Sequence, residues 1–399
     1  MFKWFMLVVF LVFLVYTMWH FHLGLKFVTG KRRRNLVILC TIIVTCCATI
    51  IVGRFLPTGE IRNGVILFSN YWLGLWIYLI FFFILLDIWR GVRKFLLHRE
   101  GDFTRHGMVF WCIFLLSLIL TVYGGIHARQ LTVNRQNVAV AKQVDGMSSM
   151  KVVLISDLHL GYSIGAKDMA KMVRAINREN PDLVVVAGDI YDNEYDAISN
   201  PEKIAKILKG IRSRYGVYGV YGNHDVSERL VGGFTTNTSQ NPKRDPRMDT
   251  LLQKANIIML EDQSVLVDGK IQLVGRLDGE KSGRKGNRRK SLGTLMGGMD
   301  FTKPVFVLNH EPEHLADYKA EGVDLLMAGH THAGQFFPLT ITRSLTWENY
   351  WGIEQKGTST GAVTSGVGVY GPPLRLLSNS EIMVLNIRFS KNSRDNKGA

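Results

Sequence analysis

The stretch KVVLISDLHL (residues 151–160) runs an apolar segment straight into an Asp-x-His pair, and this join decides the fold. Val152–Ser156 is short, apolar and rich in β-branched residues, the pattern of a strand buried on both faces, and it stops at Asp157. The same join recurs downstream. Leu183–Ala187 leads into Gly188-Asp189-Ile190-Tyr191-Asp192, and Val217–Tyr221 leads into Gly222-Asn223-His224-Asp225. Val305–Leu308 precedes Asn309-His310, and Leu325–Ala328 precedes Gly329-His330-Thr331-His332. Between the first strands, Asp168–Arg178 has helical spacing, and Pro201–Ile211 opens with a proline suited to a first helical turn. Open α/β sheets bind ligands beyond the carboxyl ends of their strands, so these remote motifs are expected to converge on one cleft. Ala362–Phe389 reads as glycine-punctuated strands of a second sheet packed on the first.

The residue types in that cleft point to metal. Of 11 histidines, six lie beyond residue 150, and only His314 falls outside the five motifs. Neutral imidazoles combined with carboxylate and amide oxygens are what borderline divalent ions take. Asp192 and Asp225 also have a plainer reading as caps of strand ends.

Composition divides the chain of 399 residues in two. Phe5–Leu23, Leu36–Val52, Tyr71–Trp89 and Val109–Ile126 are apolar stretches of about the length that crosses a bilayer core as a helix. Phe5–Leu23 alone could pass for a signal sequence, but Lys31-Arg32-Arg33-Arg34 follows it rather than a small-residue cleavage site, so a membrane span is expected. The organisation expected is a four-helix transmembrane region (1–130), a linker (131–150), a catalytic domain (151–390) and a polar tail (391–399). Lys and Arg number 16 before residue 151 and 32 after it, and Asp and Glu 5 and 28, so the net +15 splits into +11 and +4. The excess sits in the loops between spans. That distribution explains a basic chain by topology rather than by nucleic-acid binding, and no nucleic-acid partner is expected. Basic residues concentrate in the first and third loops, which places those loops in the cytoplasm and the catalytic domain outside it, in an integral protein of the cell membrane. His20, His22 and Asp87 are read as solvated ends of the spans. All four cysteines (Cys40, Cys46, Cys47 and Cys112) lie in the apolar stretches, so the second half can hold neither a disulfide nor a thiolate metal site.

The ordered set D-x-H, G-D-x-x-D, G-N-H-D, N-H and G-H-x-H resembles the signature of the calcineurin-like metallophosphoesterase superfamily. GVYGVYGNHD (216–225), NHEP (309–312), GHTHAGQ (329–335) and SGVGVYGPPLRLLS (365–378) are similar to its membrane-anchored bacterial branch. The resemblance implies a four-layer α/β/β/α sandwich with a dinuclear centre. It implies that Asp157, His159 and His332 bind one ion, that Asn223, His310 and His330 bind the other, and that Asp189 bridges them. Both ions would be divalent Mn, Fe or Zn. His224 would donate a proton to the leaving oxygen with Asp192 orienting its imidazole, and a metal-bridging hydroxide would attack phosphorus. The implied function is hydrolysis of a phosphate ester, a phosphodiester or pyrophosphate. Four spans are an extravagant tether for a soluble substrate, so a lipid-linked one is preferred, with membrane lipid as the surrounding partner.

Departures narrow this reading. Asn193 stands where the protein phosphatases of the superfamily carry a phosphate-gripping arginine, which argues against that activity. Arg288 or Arg289, in the basic run Lys281–Lys290, is a replacement contact for substrate phosphate, and Leu230–Pro246 is a candidate lid. Asn237-Thr238-Ser239 spells a glycosylation sequon and is discounted. Gly366–Gly371 spells G-x-G-x-x-G, but Pro372-Pro373 follows instead of the helix a dinucleotide site requires. Two other classes stay open: a membrane receptor or transporter with a catalytically silent domain, and a metal-dependent nuclease.

Overall fold

The computed structural model describes residues 2–29, 33–96, 98, 106–228, 230–231, 234–235, 242–281 and 289–390. The basic residue Arg288, the Asn237 sequon and the tail 391–399 lie outside them, as do residues 232–233 and 236–241 of the candidate lid. Two compact units are present. One comprises residues 1–126, 230–236 and 371–374, and the other residues 127–229, 237–370 and 375–399.

The first unit contains four helices, α1 (Phe2–Thr29), α2 (Arg33–Val52), α3 (Glu60–Phe95) and α4 (His106–His127), each carrying a stretch long and apolar enough to cross a membrane. Helix α3 has 36 residues and is therefore about 54 Å long, well beyond the hydrocarbon thickness. The sequence located only its apolar centre, because Glu60–Asn70 is helical but too polar to register as a span. His20 is not a solvated end, whereas Asp87 stays partly exposed. His20 is fully buried, with Nε2 3.1 Å from Asp87 Oδ2, and its ring stacks on Phe83. The Tyr16 hydroxyl donates to the same carboxylate oxygen at 2.7 Å. Hydropathy reports position along a helix but not which face meets a neighbour, and polar groups in an apolar bundle turn inward and pair.

The second unit is built on two six-stranded sheets. In chain order the strands are β1 (Leu131–Val140), β2 (Ser149–Ile155), β3 (Leu183–Ala187) and β4 (Val217–Val220). A short hairpin, β5 (Leu230–Val231) and β6 (Phe234–Thr235), belongs to the other unit. Then come β7 (Ile257–Met259), β8 (Gln263–Val267), β9 (Ile271–Gly275), β10 (Val305–Leu308), β11 (Leu325–Ala328), β12 (Gly352–Lys356), β13 (Ser359–Val363) and β14 (Ser380–Phe389). One sheet has the order β1-β14-β2-β3-β4-β7 and the other β12-β13-β11-β10-β9-β8. Strands β2, β3 and β4 run parallel, as do β9, β10 and β11.

Alternation along the strands makes four layers. Val153, Ile155, Val184 and Val186 face the helices α5 (Ala166–Glu179), α6 (Pro201–Leu208) and α7 (Pro246–Lys254), where Met172, Ile204 and Leu252 are buried among them. Their neighbours Val152, Leu154, Leu183 and Val185 pack instead with Leu273, Phe306, Leu308 and Met327 of the second sheet. The far face of that sheet, through Val274, Val305 and Val307, packs on α8 (Leu292–Met296) and α9 (Leu315–Ala320). An α/β/β/α sandwich results.

Two expectations are corrected here. The segment read as a linker contains β1, paired in parallel with β14 from Leu131↔Ser380 to Val140↔Phe389. An edge strand needs few buried side chains, and only Val138 and Val140 of β1 are buried, so composition conceals it. The tail is not simply a second sheet: β13 joins that sheet, but β14 inserts in the first, antiparallel to β2. The Met383↔Leu154 pairing that places it is long-range and leaves no local signature.

The two sheets leave no slack at Gly275, where an added Cβ would lie 2.2 Å from Leu260 Cβ and 3.0 Å from Val220 Cγ1. Gly275→Ala should therefore cost about 1–3 kcal/mol through overpacking. Thermal unfolding of the purified chain should show a lower melting temperature, and an unchanged one would mean the layers yield there freely.

Candidate metal centre

Parallel strands end at a common edge, and each end carries part of the site. Asp157 and His159 follow β2, Asp189 follows β3, Asn223 follows β4, His310 follows β10, and His330 and His332 follow β11. The turns are tight and costly. Asp157, His159, Asp189, His330 and His332 all have positive φ, between 46° and 70°. A non-glycine residue there is strained, and such residues gather where function requires them. The glycines of the motifs have a different task. A Cβ at Gly222 would lie 2.3 Å from Asp189 Oδ1, and one at Gly329 would lie 2.5 Å from Asp157 Oδ2. Glycine lets two strand ends close around a carboxylate.

The side chains converge in two groups, Asp157/His159/His332 and Asp189/His310/His330. In the first, His159 Nε2 lies 3.0 Å from His332 Nε2, which is 3.3 Å from Asp157 Oδ1. In the second, His310 Nε2 lies 3.2 Å from Asp189 Oδ2, 3.1 Å from His330 Nδ1 and 3.1 Å from the Asn223 side-chain oxygen. The Asp189 oxygen that faces His310 is also 3.8 Å from His159 Nε2, so one carboxylate addresses both groups. His310 Nδ1 sits 2.8 Å from the Ala187 carbonyl oxygen, which can only accept, so Nδ1 carries a proton and the ring turns Nε2 to the cluster; burial disfavours a charged ring there, but Asp189 and Asp157 outweigh it and hold the imidazole well above its ordinary value. Imidazole nitrogens and acidic oxygens facing one another in a buried cleft are the ligand types that divalent cations take. A third group, His159/Asp192/His224, shares His159 with the first.

Charge within the cleft is strongly coupled. Burial alone would push the Asp189 carboxyl up, but the neighbouring His310, His224 and His159 outweigh it and hold it well below its ordinary value. Burial lowers His330 to about 3, with His310 adding to the effect. A histidine kept neutral at every ordinary pH is free to ligate.

His224 stands beside both groups. Its backbone N–H donates to Asp189 Oδ1 at 2.8 Å, and its Nδ1 lies 2.6 Å from the Asn193 side-chain oxygen. Asp192 Oδ1 is farther off, 3.7 Å from His224 Nδ1 and 3.6 Å from His159 Nδ1. Asp225 accepts from the backbone N–H groups of Tyr191 and Gly222, the capping arrangement. Arg289 is already engaged, donating to Asn309 at 2.9 Å and to Glu313.

Three contributors escaped the sequence reading. Asn193 was taken only as the absence of an arginine, although its place beside Asp192 and after a strand end was a signal. The Tyr370 ring lies 5.0 Å from His332 and 5.8 Å from His159. Arg375 is completely buried and donates to the carbonyls of His332, Ser365 and Gly368 at 2.9, 2.7 and 2.8 Å. A single charge in the apolar run 369–378 was its only trace.

A sandwich of this kind with histidine and aspartate at its strand ends defines a class, and comparison with known proteins gives the same one. Residues 150–334 match the family model for calcineurin-like phosphoesterases, so the chain carries a domain of that family. It is similar to a zebrafish (Danio rerio) transmembrane protein with a metallophosphoesterase domain, 30% identical over 67% of this chain and 60% of the relative. An uncharacterized metallophosphoesterase of Campylobacter jejuni is 27% identical over 79% of each chain. The match thus spans less than two thirds of the zebrafish protein's length.

Asp189→Asn, which weakens the one oxygen shared by both groups, should reduce bound divalent metal by at least half in elemental analysis of purified protein. Undiminished metal would remove Asp189 from the site.

Proposed function

We propose that this chain is a membrane-anchored phosphoesterase that uses two divalent ions to hydrolyse a phosphodiester or pyrophosphate carried on a lipid. The observation that carries the reading is the Asp189 carboxylate oxygen, 3.2 Å from His310 Nε2 and 3.8 Å from His159 Nε2. Asp157, His159 and His332 would hold one ion and Asn223, His310 and His330 the other, with Asp189 serving both. Such a pair, when bound, supplies positive charge for phosphate oxygens and acidifies a water nucleophile. Mn, Fe and Zn all accept a set made only of nitrogen and oxygen.

The chain's own residues do the rest. His224 holds a proton for the leaving oxygen, the usual work of a cleft histidine. Asn193 accepts from its Nδ1–H at 2.6 Å, which fixes the ring and turns Nε2 to the substrate side. Asp192, 3.7 Å from the same nitrogen, steadies the imidazolium by charge. Tyr370 forms an apolar wall that limits water beside His159 and His332.

The lipid-linked substrate is supported by the four apolar helices, which keep the domain near a bilayer. The basic first and third loops support an extracytoplasmic domain in the cell membrane. A silent receptor domain would have lost a ligand, whereas all seven proposed ligands are present.

Metal-reconstituted full-length protein should be tested on soluble esters, phospholipids and lipid pyrophosphates. Chelation should abolish turnover and Mn²⁺ should restore it; lipid esters left intact while soluble ones are cleaved would refute the lipid assignment. His224→Ala should lower kcat by about 10²–10⁴-fold with metal retained. Metal loss equal to that of Asp189→Asn would instead make His224 a ligand. A reporter that fluoresces only in the cytoplasm, fused after Ala399, should stay dark, and a bright signal would reverse the orientation.

A further inference from the structure

Helix α10 (Leu339–Thr346), in the sandwich unit, has its polarity turned inside out. Thr340 is buried, and on the same side Arg343 Nη1 donates to the Ala333 carbonyl at 2.7 Å. Ile341 and Leu345, one helical turn apart, lie on the opposite side and are 63% and 85% exposed. Leu377, 70% exposed, adjoins the helix, its carbonyl 3.5 Å from the same Arg343 nitrogen. Among the described residues these are the three most exposed large apolar side chains of the sandwich unit. A helix in water turns its charge outward and its apolar stripe inward. One exposed leucine is ordinary, but three such side chains gathered on and beside one short helix mark an interaction surface.

The patch is fastened to the metal centre of the same unit. A Cβ at Gly334 would lie 2.7 Å from Thr340 Cα, so α10 rests directly on the turn that carries His332. The ring of Trp347, the residue after the helix, is 5.2 Å from that of His330. The chain itself indicates the occupant. Helix α4 ends at His127 and β1 begins at Leu131, a link of about 14 Å at full extension. The sandwich is therefore tethered to whatever bilayer the four apolar helices enter, and a tethered surface meets its target at high effective concentration. Helices with an apolar outer face lie in the membrane interface with that face at the headgroup–acyl boundary.

We propose that Ile341 and Leu345 of α10, with Leu377 beside them, form a docking surface for the bilayer that brings the phosphate of a membrane lipid to the metal centre. The second half of this proposal rests on the reading of the site as a phosphoesterase for lipid-linked substrates.

The test uses the full-length chain in nanodiscs of phosphatidylcholine and phosphatidylglycerol. Nitroxide labels are attached at Leu345→Cys, and separately at Ile341→Cys, after the four native cysteines are replaced by alanine. Each label should collide about threefold or more as often with oxygen, which concentrates among acyl chains, as with a water-soluble nickel chelate. Collisions dominated by the chelate would overturn the proposal. Dipolar broadening between the labels of two copies would also overturn it, by putting a second copy on the patch. In the chain with its native cysteines, Ile341→Glu combined with Leu345→Glu should lower kcat/KM for phosphatidylglycerol about tenfold or more, while that for a soluble nitrophenyl phosphodiester stays within about twofold. Lipid turnover equal to the wild type's would contradict the docking role, and an equal loss on both substrates would make α10 a mere support of the metal-binding turn. A wild-type chain whose labels sit among acyl chains but which cleaves no lipid ester would sink the lipid-substrate reading and leave the docking surface standing.

Discussion

Imidazoles and carboxylates from separate strand ends face one another at about 3 Å in a buried cleft, and holding those polar groups together away from water is the constraint that the rest of this molecule is arranged to meet. The sandwich brings the carboxyl ends of β2, β3 and β4 to those of β10 and β11, and supplies the apolar mass that holds them there. Five of the seven proposed ligands sit in a strained backbone conformation. Each such residue costs of the order of 1–3 kcal/mol, which only a rigid surrounding core can sustain. The strand ends are stitched as well, Asp157 N–H to the Gly188 carbonyl and Asn309 N–H to the Met327 carbonyl.

Polarity is graded outward from this centre. His310 is fixed by a backbone carbonyl, His224 by Asn193, and the closing segment by Arg375, whose hydrogen-bond partners among the described residues are carbonyls, a hydroxyl and an imidazole. Burial lowers the Arg375 guanidinium to about 10, still charged at neutral pH. Its charge therefore stays inside the sandwich, beside Asp157 and His332, and contributes to the field there.

The sequence disclosed what is local. Apolar runs ending in Asp, Asn or His marked the strands and placed every proposed ligand at a strand end, because strand burial and turn chemistry are written within a few residues. Hydropathy likewise located four spans. What it concealed depends on pairing across the chain. β14 slots between β1 and β2 through contacts some 230 to 250 residues apart in sequence. The division of β2–β4 and β9–β11 between two sheets was hidden for the same reason. Asn193 took the position beside His224 that Asp192 was expected to fill, since adjacent residues on a turn are separated only by backbone angles. His20 and Asp87 show the same limit in the membrane helices: their depth was legible, but the face they present to each other was not.

The central claim is that two neighbouring cations sit on either side of Asp189. Anomalous diffraction from crystals of the Mn²⁺-loaded protein tests it most directly. The account requires two peaks about 3.5–4 Å apart, one bounded by Asp157, His159 and His332 and the other by Asn223, His310 and His330. A single peak, or peaks away from these side chains, would contradict it.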